Sequence, residues 1–273
     1  MSPFRTRFAP SPTYYLHLGH AASALQVWRR AADAAGEVLL RIEDIDTTRC
    51  RPEYTAAIYE DLAWLGLTWP EPVRVQSEHF SDYEAVVEAL TRRGLTYRCF
   101  RTRSALAELP DPLRPGPHAP DEEAELLDGG GPFARRLSLS ACREELGDAW
   151  EALSFTERTA QGLMTRAVDP MREGDVVLAR KDSPSAYHVA ATHDDALQGI
   201  TDIIRGEDLI DAPHVQTLLQ TLMGWPAPVY EHHSLVLDET GQKLSKRQQS
   251  ISLASLRADG MTADQIRSRL GFS

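Results

Sequence analysis

His17-Leu18-Gly19-His20 stands at the head of a helical run, and Lys243-Leu244-Ser245-Lys246-Arg247 follows near the other end of the chain. A helix start presents unpaired backbone N–H groups and the positive end of the helix dipole, so it suits phosphate. His17 and His20 add side-chain donors aimed at the same oxygens, and Gly19 between them allows close approach to the backbone. In the second segment, the ammonium groups of Lys243 and Lys246 can neutralise charge that grows on phosphoryl oxygens during an in-line displacement. Each segment alone has plain readings: a pair of surface histidines or half a zinc site, and a solvated basic loop. Both in this order point to a nucleoside triphosphate site with attack at the α-phosphate.

Such residues need a framework, and the hydrophobic periodicity supplies one. Phe4 to Ala9 reads as a short strand ended by Pro10 and Pro12. A helix follows from about Gly19 to Ala35, burying Ala22, Leu25, Val27 and Trp28 and stopped by Gly36; Val38 to Ile42 is then a strand of the buried, parallel type. This βαβ unit predicts an α/β fold with a Rossmann-like, doubly wound parallel sheet. Helices are expected over 52–65 and 82–93, each followed by glycine, and a strand over 95–99. Pro110 to Gly131 holds five prolines, four glycines and the acidic block Asp121 to Glu125, so it reads as a loop-rich insertion that leads into a poorly patterned stretch ending near Lys181. Strand-like sequence returns over 187–191 and 199–204, followed by a helix over 212–223, a strand and turn over 234–243, and two short helices, 253–258 and 262–270. The expected division is a first nucleotide-binding half (1–99), an inserted smaller α+β subdomain (100–181), a second half (182–237), and the lysine loop with a short helical tail (238–273).

The 273 residues, 42% hydrophobic and 25% charged, can bury a substantial core. A net charge of −11 argues against broad, non-specific nucleic-acid binding but leaves room for a local basic groove. Arginines do cluster, at Arg92-Arg93, at Arg98, Arg101 and Arg103, and at Arg135-Arg136. No apolar run approaches the roughly 20 residues that span a bilayer, and no apolar leader is visible. Cys50, Cys99 and Cys142 are too scattered for a disulfide framework, so a reducing cytoplasm is expected; the expected state is a monomer.

Several further segments accompany the two phosphate-type motifs: Arg7-Phe8-Ala9-Pro10-Ser11-Pro12-Thr13, Arg41-Ile42-Glu43-Asp44-Ile45-Asp46, Asp194 to Thr201, and Arg205-Gly206-Glu207-Asp208-Leu209. With them the chain resembles the catalytic part of class I aminoacyl-tRNA synthetases of the glutamate type along nearly its whole length, least between about Phe100 and Met171. Only 26 residues follow Arg247, where full glutamyl-tRNA synthetases continue into an anticodon-binding region. The short form resembles the glutamyl-queuosine tRNA(Asp) synthetases.

The resemblance implies ATP-dependent activation of L-glutamate without tRNA, then transfer to the queuosine base in the anticodon of tRNA(Asp). It implies that Arg7-Phe8-Ala9-Pro10-Ser11, Glu43, Tyr187 and Arg205 hold glutamate. Arg7 would bind a carboxylate through its planar fork, Glu43 the ammonium, and Ser11 would add a polar contact. ATP would be held by His17, Gly19, His20, Lys243 and Lys246, with Mg²⁺ bridging phosphates, and His17, His20 and Lys246 would stabilise the transition state. On the residues alone, Glu43 could equally pair with Arg41 or Arg49, and Tyr187 could be a core residue.

The chain departs from the family at two places. Tyr14 stands where the family usually has glycine. A tyrosine disfavours φ > 0 and brings a phenol beside the nucleotide, or swings outward; slower activation than in a Tyr14→Gly variant is expected. Many members also carry zinc in the insertion, held by a Cys-x-Cys pair and further ligands. Here Arg101 replaces the second thiolate, and Cys142 and His118 are isolated, so zinc is not expected. Two alternatives stay open: a stand-alone glutamate-activating paralogue with another acceptor, and a binding module disabled at Tyr14.

Overall fold

Pro10 and Pro12 have no N–H to give to a ladder, and the first strand, β1 (Arg5–Phe8), ends just before them. The computed structural model describes residues 3–235 and 251–272. The helix α1 (Leu18–Asp33) carries the chain over to β2 (Glu37–Ile42), which lies parallel to β1 with Arg5 opposite Glu37 and Phe8 opposite Leu40. The buried face of α1 is Ala21, Ala24, Leu25, Val27 and Ala31, whereas Ala22 and Trp28, expected inside, are only partly buried. The left-handed residue after α1 is Ala35 (φ 48°). Gly36 is needed for a different reason: a Cβ there would lie 2.5 Å from the Phe4 carbonyl oxygen.

Next come α2 (Pro52–Trp64), β3 (Arg74–Val75), α3 (Phe80–Arg92) and β4 (Thr96–Cys99). The inserted region contains α4 (Arg103–Ala107), α5 (Pro120–Asp128), β5 (Ala134–Leu137), α6 (Leu139–Leu146), α7 (Asp148–Glu151), β6 (Ser154–Thr159), β7 (Gly162–Ala167) and β8 (Val177–Ala179). The chain continues through α8 (Tyr187–Leu197), β9 (Asp202–Gly206), α9 (Ala212–Met223) and β10 (Val229–His233), and then α10 (Leu253–Ala258) and α11 (Ala263–Arg269). No helix among the described residues is long and apolar enough to cross a membrane.

The architecture is α/β, with a parallel arrangement and additional sheets. Among the described residues the strands form three sheets: β1-β2-β3, β7-β6-β10-β9 and β4-β5-β8. All pairs in the first are parallel, as are β9–β10 and β10–β6 in the second. The first two abut at Thr201, whose N–H donates to the Arg5 carbonyl (2.9 Å) and whose hydroxyl accepts from the Arg5 N–H (2.8 Å). A side chain thus replaces one rung of what would otherwise be a continuous ladder. The strand Thr96–Cys99, read as the end of the first half, pairs antiparallel with β5 in the third sheet. Conversely β6, from the inserted region, joins β10 of the second half.

Two segments fold otherwise than their sequence predicts. Residues 187–191 are not a strand but the first turns of α8. Val189, Ala190 and Ala191 are all fully buried, and a continuous apolar run looks the same in a buried strand and a buried helix. The acidic block read as loop forms the first turn of α5, behind Pro120, where Asp121, Glu122 and Glu123 complement the helix dipole. Most of the strand and turn expected over 234–243 lies outside the described residues.

The C-terminal helices pack onto the first βαβ unit. Leu253 and Leu256 of α10 and Ile266 of α11 join the core formed by α1, β1, β2 and α2. The Leu253 N–H donates to the Leu16 carbonyl (2.8 Å), beside a β-bridge between His17 and Ser252. Arg257 reaches Glu60 (3.0 Å) and the buried Asp61 (3.3 Å) on α2. The residues that follow the lysine segment therefore touch the histidine motif directly.

Candidate active site

His17 is the N-cap of α1 and closes a capping box with His20. The Gly19 N–H donates to His17 Nδ1 (3.1 Å), the His17 N–H donates to His20 Nδ1 (3.2 Å), and the two rings lie 3.9 Å apart. The two imidazoles thus occupy N–H groups at the helix start while holding each other in place. Gly19 is required by this packing: a Cβ would stand 2.9 Å from His17 Cε1. Lys243 and Lys246 lie outside the described residues.

At the carboxyl ends of β1 and β2 a buried charge cluster forms. Arg7 turns the Nε–Nη2 edge of its guanidinium onto Asp195 of α8 (2.9 and 3.5 Å). Arg41, fully buried on β2, donates to the same carboxylate (2.6 Å) and to Gln198 (2.8 Å), and stands 3.5 Å from Glu43. Burial opposes the charge on Arg41, but Asp195 and Glu43 outweigh it and its pKa rises. Burial likewise opposes the charge on Asp195, and Arg7 and Arg41 hold its pKa below the ordinary carboxylate value. For Glu43 burial wins: despite Arg41 and Arg7, its pKa is pushed up to about 7. The Glu43 N–H donates to the Pro10 carbonyl (3.1 Å), which ties the glutamate to the segment after β1.

Ser11, Glu43 and Tyr187 line a cavity of about 220 Å³, whose other wall includes Asp46, Arg49 and Arg180. Tyr187 opens α8, and burial raises its pKa within the field of Arg205, Glu43 and Arg7. His188 beside it is driven down to about 4 by burial and by Arg205, so it is neutral at pH 7. Asp46 accepts from the Thr48 hydroxyl (2.6 Å) and from Arg49 Nε (2.7 Å), and these contacts bring its carboxyl down to about 2.

Arg205, on β9, is buried with its Cζ 5.3 Å from the centre of the Tyr230 ring. It donates to Gln216 (3.1 Å) and His232 (3.3 Å), while its second terminal nitrogen, Nη2, is buried without a hydrogen-bond partner. A buried, unpaired guanidinium nitrogen is costly, and an anionic ligand group would satisfy it.

The structure thus places Ser11, Glu43 and Tyr187 on one cavity, with Arg7 and Arg205 buried and within electrostatic reach of Tyr187. Phe8 instead points into the core, edge-on to Trp28 at 6.1 Å, so only its backbone is available to a ligand. Ala9 is partly buried and Pro10 buried, which leaves Ser11 as the exposed side chain of the segment. Two structural members of the site, Arg41 and Asp195, stand in the sequence motifs without an assigned role, and of the two pairings open to Glu43 the structure shows the one with Arg41. A second set supports them: Asp194 accepts from Arg74 (2.7 Å), Gln76 (2.9 Å) and Tyr83 (2.8 Å). The available signal was the acidic pair Asp194-Asp195 inside the apolar helix Tyr187–Leu197, where charge must be paired to be buried.

Tyr14 has no left-handed backbone, since Ala35 is the one non-glycine residue with positive φ among the described residues. Its ring is half exposed and stacks on Tyr54 (6.2 Å between centroids, 26° between planes). The outward alternative describes this geometry, and the backbone-strain argument for slow activation loses its basis.

Cys99, the last residue of β4, is buried, Arg101 donates to the Gly116 carbonyl (2.9 Å), and Cys142 sits inside α6 with its thiol pushed up to about 12 by burial. A Cys-x-Cys zinc site needs paired thiolates, and with Arg101 in place of the second one and no group of three His, Cys, Asp or Glu side chains gathered among the described residues, this donor set does not fit the ion. The neighbourhood is filled instead by Phe100 against His118 (5.7 Å) and Phe133 (5.3 Å), with Arg98 and Arg135 each 5.5 Å from the Phe133 ring centre. Elemental analysis of purified protein should find well under one zinc per chain; a stoichiometric amount would overturn this reading.

The helix-start histidine pair stands on the same α/β frame as a buried cluster in which Arg7, Arg41 and Glu43, at the carboxyl ends of two parallel strands, meet Asp195 of α8. The family of class I tRNA synthetases (E and Q), catalytic domain, matches residues 3–123 and 164–271. A glutamyl-Q tRNA(Asp) synthetase from Rhodobacter capsulatus is 39% identical over 98% of this chain and 99% of its own length. A second, from Nitratidesulfovibrio vulgaris, is 36% identical over 98% of this chain and 85% of its own. The chain belongs to the class I tRNA synthetases of the glutamate and glutamine branch, and within it to the glutamyl-Q tRNA(Asp) synthetase family. Among solved structures, a glutamate tRNA ligase from Elizabethkingia meningosepticum in complex with its amino acid aligns with a TM-score of 0.71 at 28% identity, covering 95% of this chain and 54% of that one. A Mycobacterium tuberculosis methionyl-tRNA synthetase, 16% identical with a TM-score of 0.59, shares the fold.

Proposed function

We propose that the chain joins L-glutamate and ATP into glutamyl-adenylate without tRNA, and then transfers the glutamyl group to the queuosine base of tRNA(Asp). The geometry that carries the first half is the set of opposed buried charges. Glu43 offers a carboxylate to the substrate ammonium, the open nitrogen of Arg205 takes the side-chain carboxylate, and Tyr187 and Ser11 add polar contacts. Arg7 spends one edge of its guanidinium on Asp195, so a substrate carboxylate meets its remaining nitrogen. The second half is supported by similarity to the Rhodobacter capsulatus protein over both chains' full length.

In the first step the glutamate α-carboxylate attacks the α-phosphorus of ATP and pyrophosphate leaves. No general base is needed, because that carboxylate is ionised at neutral pH. Gly19 and the α1 start receive the phosphates, His17 and His20 donate to their oxygens, and Lys243 and Lys246 supply positive charge. Mg²⁺ held by the nucleotide phosphates would add positive charge there. In the second step a hydroxyl of the queuosine cyclopentene ring attacks the activated carbonyl and AMP leaves.

Glutamate-dependent exchange of pyrophosphate into ATP, without RNA, tests activation, and transfer of labelled glutamate to tRNA(Asp) with and without queuosine tests the acceptor. Exchange without transfer to the modified tRNA would leave the paralogue reading standing; no exchange would support the disabled module. Within this scheme Gly19→Ala should slow exchange about tenfold, or ~1.4 kcal/mol, because the new methyl displaces the His17 ring. An unchanged rate would show that the ring position is not critical.

A further inference from the structure

We propose that Tyr14, Tyr15 and Tyr54 form a stacking platform for an unpaired nucleobase of the acceptor RNA loop, with Arg49 and Arg51 beside it for the RNA backbone. This rests on the reading that the acceptor is a base in a tRNA loop.

Tyr14 and Tyr15 are 52% and 44% exposed, which is unusual for adjacent large aromatic rings. They are held rather than loose: Tyr54, on the first turn of α2, stacks on Tyr14 and meets the edge of Tyr15 at 4.9 Å. The three rings therefore make a preformed surface with a supported inner side. That surface adjoins the glutamate cavity by two routes. Thr13, next to Tyr14, lines the cavity, as do Arg49 and Cys50 just before α2. The Arg51 N–H, which donates to the Pro12 carbonyl (3.0 Å), ties the two segments together. Arg49 is 66% exposed, and Arg51 is exposed with one N–H on the Cys50 carbonyl (2.8 Å).

An acidic protein must meet RNA through a local patch, and aromatic faces flanked by arginine are how single-stranded bases are held. A base that delivers its ring hydroxyl into the cavity leaves its neighbours at the mouth, where the tyrosines stand. Tyr14 then has a positive role where the family usually has glycine.

The test separates the two half-reactions. Tyr14→Leu and Tyr54→Leu keep apolar bulk but lose the aromatic face. Each should raise the KM for queuosine-containing tRNA(Asp) about tenfold, leaving RNA-independent pyrophosphate exchange and its ATP KM within about twofold. Tyr14→Phe and Tyr54→Phe should restore the tRNA KM, which a fold defect in the leucine variants would not explain. Arg51→Gln should lower the salt dependence of the tRNA KM. The platform is overturned if the leucine variants transfer with an unchanged tRNA KM, or if they raise the ATP KM instead. Failure of the wild-type protein to charge modified tRNA(Asp), with exchange intact, overturns the acceptor reading beneath it and is seen before any variant is made.

Discussion

Replacing Asp195 with asparagine should raise the glutamate KM in pyrophosphate exchange about 100-fold and lower the unfolding free energy by ~3–5 kcal/mol. Asp195 alone accepts from both Arg7 and Arg41, and both guanidiniums are almost fully buried. Asparagine matches the size of the side chain but removes its charge and turns one acceptor into a donor facing a cation. Arg7 would lose the contact that orients it, and Arg41 would keep Glu43, at 3.5 Å, and the field of Asp194. Denaturant unfolding and exchange kinetics measure the two effects separately. A variant within twofold of wild type in KM and within 1 kcal/mol in stability would show that the cluster is not a unit.

Glutamate binding should strengthen as pH rises from 6 to 8, with KM falling close to tenfold per unit below pH 7 and levelling above it. Burial raises Glu43 from 4.5 to about 7, so the free protein holds this carboxyl largely protonated at pH 6. Only the ionised form attracts an ammonium, hence the direction. Stability runs the other way. Because the folded pKa lies above the unfolded one, the contribution of Glu43 is complete below about pH 4.5 and is lost as pH rises through about 7. A Glu43→Gln variant should bind glutamate about 100-fold more weakly, a loss of ~2.7 kcal/mol, and lose this pH dependence. A wild-type KM that is flat between pH 6 and 8 would remove Glu43 from the role.

These opposed slopes have one cause. Glu43 is buried among cations that offset only part of the cost of burying its charge, so the empty site is held short of its best charge balance. A substrate ammonium arriving there would supply what is missing. Arg205, with a buried and unpaired nitrogen, is in the mirror-image condition toward a carboxylate. A carboxyl held partly protonated and a guanidinium with an unpaired nitrogen suit a ligand that carries both charges.

The helix start His17-Leu18-Gly19-His20, the strand that delivers Arg41 and Glu43, and the bounds of α9 and α10 follow from local rules, and local rules were enough to read them. Capping, proline placement and short-range periodicity are properties of a few neighbouring residues. The segment 187–191 was misread because its apolar run is buried on every side, and burial is a property of what packs around it. The acidic turn of α5 reads as loop because four other nearby prolines and four glycines outweigh the one proline, Pro120, in a helix-starting position.

The sequence by itself determined the chemistry on offer: two histidines at a helix start, two lysines in a distant segment, and a carboxylate and arginines in motifs of the glutamate branch. Only the tertiary structure decided how those groups are shared. It gave one edge of the Arg7 fork to Asp195, left a nitrogen of Arg205 unpaired, raised Glu43 and turned Tyr14 outward onto Tyr54. The reason is physical. A residue's type is fixed locally, but its pairing, ionisation and exposure depend on what α8, β9 and α2 bring within a few ångströms, across separations that no local pattern records.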